Sequence, residues 1–302
     1  MAFIRYNRSR RQFVTRLLMG GVAAMSTDLY AATASVSYSP GTNKRSSTSD
    51  AAAAPENTIP DGAIRDAVRK AQEFEHDYDD DIYASHSQSG LLRSVLLRLG
   101  RLQRTVGYGN FNLIDFDSAR YYASRYSSIG AFTDKETDLI EELFEYDASN
   151  YGFFGHKVSP SLTAKIRRQD VKKIRGTGHF LYQGESLDMY NKIKRQMGDD
   201  LILTSGIRSV VKQIHLFIAK VEKSGGNLSR AARSLAPPGH SFHGIGDFDV
   251  GKRGLGAANF TNTFAETRIY TRLNELGYIS MRYPMANPYG VRYEPWHIKV
   301  VE

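Results

Sequence analysis

The hydrophobic pattern of this chain changes its period near residue 155, and that change limits the folds open to it. Between residues 61 and 154 apolar side chains recur at helical spacing. Leu92, Val95, Leu96, Leu99 and Leu102 form one stripe, with Arg93, Arg101 and Arg104 off it. Thr133-Asp134-Lys135-Glu136 has the form of a capping box and predicts a helix whose apolar side holds Leu139, Leu143 and Tyr146. From 155 onward, short strand-like runs mix with helical ones. GHFLYQ (178–183), LILTSG (201–206), DFDV (247–250), YISMRYP (278–284) and WHIKVV (296–301) read as strands. Helices are predicted around Tyr190, Ile193 and Met197, from a Ser209 cap through Ile214, Phe217 and Val221 to Gly225-Gly226, and through Ile269, Leu273 and Leu276 to Gly277. This order predicts an α+β domain at 155–302, a small antiparallel sheet flanked by helices, preceded by a helical N-terminal region at 61–154. No internal repeat is evident.

Upstream of that body the composition differs. NRSRRQFVTR, then LLMGGVAAM, then Ala32-Thr33-Ala34 give a basic segment, a mildly apolar segment and a small-residue cleavage site. Ser9-Arg10-Arg11-Gln12-Phe13 resembles the twin-arginine export signal. Residues 1–34 are therefore expected to be a signal peptide, and the Ser-, Ala- and Pro-rich 35–60 a flexible linker. The expected location of the product is the periplasm, outside the cytoplasmic membrane. Removing the leader's five arginines and one aspartate lowers the formal charge from +8 to about +4. That is weak support for nucleic-acid binding, so no nucleic-acid partner is expected, and it is compatible with an anionic wall polymer. With no cysteine in the chain, disulfides and thiol catalysis are excluded. No stretch reaches the roughly 18 consecutive apolar residues of a membrane span. At 41% hydrophobic and 24% charged, with 18 Tyr and 15 Phe, the chain has ample material for a packed core.

Two segments carry candidate chemistry. In PPGHSFHGIGDFDVG (237–251) a loop enters a strand, and Ser241 shares a face with His243 in extended chain. Asp247 and Asp249 also share a face, opposite Phe248 and Val250. In YEPWHIKVVE (293–302) Trp296, Ile298 and Val300 alternate with His297, so the tryptophan side packs inward and His297 looks the other way. A His, an Asp and a second His make a three-ligand zinc set with a fourth position left open, and Glu294 is then the natural general base. Arg208, directly after a predicted strand, is suited to stabilising an oxyanion.

Three ordered segments resemble the zinc D-alanyl-D-alanine carboxypeptidases and dipeptidases of the VanY/VanX type, within the LAS metallopeptidases. Ser205-Gly206-Ile207-Arg208-Ser209 with Gln213 is similar to the family's Ser-Gly-Tyr-Arg-Ser…Gln. Ser241-Phe242-His243-Gly244-Ile245-Gly246 and the aspartates after it are similar to Ser-x-His-x-x-Gly-x-Ala-x-Asp. Glu294-Pro295-Trp296-His297 is similar to Glu-Pro-Trp-His, and the resemblance spans about 175–302. It implies a peptidase acting on peptidoglycan stem peptides, with zinc held by His243, Asp249 and His297. Glu294 would activate water, Arg208 would hold the carbonyl oxygen, and Ser241 and Gln213 would contact substrate. His243 to Asp249 is one residue shorter than the family's spacing. Either Asp249 ligates from a shortened loop or Asp247 replaces it, and the apolar residue after Asp249 favours Asp249. The family's tyrosine before the arginine is Ile207 here.

Other signals carry less. Asp77, Asp79 and Asp81 alternate as in a calcium loop, but Ile82 stands where the loop needs glycine and Gln88 where it needs glutamate. The stretch is expected to be a solvated acidic helix end. Gly176-Thr177-Gly178 lacks the third glycine of a dinucleotide fingerprint. No serine sits in an elbow motif.

Overall fold

In the computed structural model, which describes residues 60–279 and 281–301, the helical region opens with α1 (Asp61–Gln72). The predicted leader and linker, Pro60 apart, lie outside the described residues. The leucine stripe becomes the buried face of α2 (His86–Val106), where Leu92, Val95, Leu99 and Leu102 are buried. A single turn, α3 (Tyr108–Phe111), leads to α4 (Phe116–Arg125). Thr133 and Glu136 close the predicted capping box at the start of α5 (Asp134–Glu145). Glu136 is buried, and Arg98 of α2 binds its carboxylate at 3.0 Å. One capping residue thus also fastens two helices together.

Beyond Tyr151 the chain makes a two-stranded antiparallel ribbon, β1 (Val171–Lys173) with β2 (Phe180–Tyr182). Next come α6 (Glu185–Met197), β3 (Leu201–Ser205), α7 (Val210–Lys223) and α8 (Leu228–Ser234). They are followed by β4 (Phe248–Lys252), α9 (Arg268–Glu275) and β5 (His297–Ile298). Strands β3, β4 and β5 form one antiparallel sheet in that order. Ser209 caps α7 as expected, its hydroxyl accepting from the Lys212 amide. Among the described residues no helix is long and apolar enough to cross a membrane.

The packing divides into two principal cores. One holds the stripe of α2, the apolar residues of α5, and Ile214, Phe217, Ile218 and Val221 of α7. The helical region and the second half of the chain therefore share a single core. The other lies on the apolar face of the three-stranded sheet, where Leu203, Phe248, Val250, Ile298 and Trp296 pack with α6 and α9.

Two expectations are corrected. Segment 278–284 forms no strand among its described residues. Arg282 turns its side chain inward, and the Tyr283 carbonyl accepts a single bond from the Glu294 amide instead of joining a ladder. The acidic stretch is not fully solvated either. The side chain of Asp81 is shielded from water and takes two hydrogen bonds from Arg233 of α8, at 2.6 and 2.8 Å, while Arg230 reaches Asp77. A carboxylate in that position is tolerated because its cation is buried with it.

Candidate metal centre and active site

The site is built on the polar face of the sheet. Register places Asp249 of β4 opposite Ser205 of β3 on one side and His297 of β5 on the other. Leu203 pairs with Val250, so with regular alternation Ser205 would share the apolar face. An extra residue between Leu203 and Ser205 bulges β3 and brings Ser205 into line with Asp249. Both faces of β5 are buried: Trp296 and Ile298 enter the second core, and His297 enters the site.

His243 arrives from a short 3-10 turn, Phe242–Gly244, below the Pro237-Pro238-Gly239 loop. Its Nδ1 lies 2.8 Å from the Gly206 carbonyl, which only accepts, so Nδ1 donates and the Nε2 lone pair is left facing Asp249. Gly206 is required by close approach: a Cβ there would lie 2.1 Å from the Phe180 carbonyl oxygen. His297 is oriented from its far side in the same manner. Its Nε2 donates to Asp247 Oδ2 at 2.9 Å, leaving the Nδ1 lone pair inward.

His243, Asp249 and His297 each offer one ligand atom, and these atoms lie within 4.8 Å of one another. Asp249 Oδ1 is 3.2 Å from His243 Nε2 and 3.2 Å from His297 Nδ1. Yet neither Asp249 Oδ1 nor His297 Nδ1 makes a hydrogen bond, although both atoms are buried. Three lone pairs thus converge on one point. The spacing suits tetrahedral zinc, whose bonds of about 2.0–2.2 Å put ligand atoms roughly 3.3 Å apart. The donor set therefore fits a zinc ion.

Electrostatics agree with that fit. Burial would lower the His297 pKa, but hydrogen bonding to Asp247 and the charges of both carboxylates push it up to about 9. Burial would raise Asp249, yet His243 and Arg208 hold its carboxyl well below the usual range. Asp249 is thus held in the ionised form that a metal ligand needs. Glu294 is shifted the other way, raised by burial and only partly offset by Arg292 and His297. Its Oε2 lies 3.8 Å from His297 Nδ1, next to the ligand set without joining it.

Arg208 donates to the second Asp249 oxygen at 2.6 Å and through Nε to Ser205 Oγ at 2.9 Å. The bulge that turns Ser205 therefore also positions the arginine. Ser241 is buried at the mouth of the His243 turn. Gln213 is placed otherwise than as a substrate contact: its amide donates to the Arg208 carbonyl and accepts from the Gly239 amide, tying two site loops together. Asp247 is not in the converging group. It binds His297, Arg282 at 2.6 Å and the Val300 amide at 2.9 Å.

Sequence reasoning missed Arg282 and Tyr283. Arg282 also stacks on Phe242, with its Cζ 3.4 Å from the ring centre, and Tyr283 packs its ring 5.2 Å from that of His297. The Arg-Tyr pair at 282–283 was visible, but its partners lie far along the chain. Since Asp247 fixes the tautomer of His297, Asp247→Asn is expected to weaken zinc binding about 10–100-fold. Competition with a chelating indicator dye would measure this, and unchanged affinity would remove Asp247 from that role.

Residues 183–302 match the family model of VanY, a D-alanyl-D-alanine carboxypeptidase. That region is VanY-like. It contains His243, Asp249, His297, Glu294, Arg208, Ser241 and Gln213. No curated protein matches the chain. Among solved structures, a glutamate-to-alanine variant of the vancomycin resistance D,D-pentapeptidase VanY, from a VanB-type resistance cassette and in complex with Zn(II), is 25% identical. It covers 44% of this chain and 78% of its own, with a TM-score of 0.36. VanYB in complex with D-Alanine-D-Alanine is 23% identical, covering 50% of this chain and 85% of its own, with a TM-score of 0.38.

Proposed function

We propose that the protein is an exported zinc peptidase that hydrolyses the terminal D-Ala-D-Ala bond of peptidoglycan stem peptides. The observation that carries this reading is the convergence of His243, Asp249 and His297 on one point beside a buried carboxylate, Glu294. The VanY match over the same region supports this substrate class. His243, Asp249 and His297 would hold the ion. Bound zinc supplies Lewis-acid chemistry, polarising a peptide carbonyl and easing loss of a proton from water.

The chain's own residues do the rest. Glu294 takes the proton of the attacking water and passes it to the leaving amine, and the upward pull of burial on its pKa suits a group that must also act as an acid. Arg208 is held by Ser205 and Asp249 with its fork at the edge of the ligand set. From there it stabilises negative charge developing on the carbonyl oxygen. Gln213 keeps the Arg208 backbone in place, and Ser241 would contact the peptide. The carboxylate of Asp247 steadies His297 from behind.

The test is digestion of purified pentapeptide muropeptides by the zinc-loaded protein, followed by mass spectrometry. Loss of one C-terminal alanine is the expected result. Cleavage at the cross-link of dimeric muropeptides instead would make the protein an endopeptidase, and cleavage of the bond between the third stem residue and the D-Ala after it would make it an LD-carboxypeptidase. No cleavage with zinc bound would leave a wall-binding module.

A further inference from the structure

Arg292 stands two residues before the base and has no catalytic assignment. Its backbone amide is bound to the Arg233 carbonyl, which fixes the start of the side chain. The guanidinium is clamped between two aromatic rings, with Cζ 4.9 Å from the centre of Phe74 and 4.9 Å from that of Trp296. Its Nε is buried without a hydrogen bond, and its nearest anion is Glu294 Oε1 at 3.8 Å, too long for one. A guanidinium held rigidly with a buried N–H left unpaired is costly.

The guanidinium opens onto a cavity of about 530 Å³. Phe74, at the end of α1, forms one part of its lining, and Asn262 and Glu266 come from the segment before α9. Met285, Arg292 and Tyr293 come from the approach to β5. That volume suits a small organic group. Arg292 supplies a planar fork matched to a carboxylate. Glu266 supplies the opposite charge, which disfavours a multiply charged anion such as phosphate and admits a singly charged or zwitterionic group.

We propose that Arg292 and this cavity form a carboxylate-binding subsite for the peptide being cut, with Phe74 of the helical region as part of its wall. The proposal rests on the peptidase reading above, since it is the proximity of Arg292 to Glu294 that ties the cavity to the reaction. The carboxylate has two sources in a stem peptide: the C-terminal one, and a free carboxylate on a residue before the scissile bond.

The experiment compares three peptides ending in D-Ala-D-Ala: one with both carboxylates free, one with the C-terminus amidated, and one with the internal carboxylate amidated. In the wild type, one amide should lose about 10–100-fold in kcat/KM, mainly through KM, as expected for a lost charge-assisted hydrogen bond. Which amide suffers identifies the source. Arg292→Gln should impose the same loss on the free peptide and add nothing for that amide, and Arg292→Lys should recover part of it. If neither amide differs in the wild type, or if Arg292→Gln lowers kcat equally for all three peptides, Arg292 is only a prop for Glu294 and the subsite is wrong. A wild type that cleaves none of the peptides sinks the peptidase reading alone. Calorimetric titration of the same peptides then decides the subsite: carboxylate-dependent binding lost in Arg292→Gln sustains it, and equal affinities overturn it.

Discussion

Glu294→Gln is expected to lower kcat on a D-Ala-D-Ala peptide by about 10²–10⁴-fold while leaving bound zinc at one ion per chain. The substitution keeps the shape of the side chain and removes only its capacity to take a proton. Glu294 stands outside the converging His-Asp-His group, with its nearer oxygen 3.8 Å from His297, so metal retention follows from the geometry. Its placement does not depend on its charge. The backbone on either side is pinned by bonds from the Glu294 amide to the Tyr283 carbonyl and from the His297 amide to the Glu294 carbonyl. Steady-state kinetics with elemental analysis on the same sample check both halves. Wild-type kcat with full metal would remove Glu294 from the reaction.

The second large effect is expected at Asp249. Stripping the metal with a chelator should abolish turnover, and stoichiometric zinc should restore it. Asp249→Ala should abolish it beyond rescue, because one carboxylate serves three partners. Oδ1 faces the two histidines, and Oδ2 receives the Arg208 guanidinium at 2.6 Å. Removing it deletes a ligand and strands a largely buried arginine. Breaking such a pair costs about 3–5 kcal/mol, so the variant should also melt well below the wild type. Chelation leaves the Arg208–Asp249 pair intact and should lower Tm less than the substitution does. Equal Tm losses would show that the ion pair contributes nothing to stability.

Most of the fold was legible where the signal is local. The α2 stripe, the capping box at Thr133, the Ser209 cap and the Gly225-Gly226 stop all depend on residues a few positions apart. Pattern reading failed where the partner is distant. The bulge at Thr204 has no sequence mark, yet it turns Ser205 to the site. Segment 278–284 alternates like a strand, but the buried partners of Arg282 decide its course. The two aspartates illustrate the limit best. Asp247 and Asp249 are two residues apart, and alternation alone does not separate them. Only the pairing of β4 with β5 sets Asp249 opposite His297 and leaves Asp247 behind it. Gln213 was visible within its motif, but both groups its amide engages were not.

The core shared by α2 and α7 has a consequence for how this activity could be moved or trimmed. Residues 183–302 look like a portable module, because every candidate catalytic side chain lies within them. Lifted out alone, however, they would present Ile214, Phe217, Ile218 and Val221 to water as one apolar strip on the helix that follows Arg208. A chimaera built from this segment needs a replacement roof for that helix before it needs any change to the residues of the site.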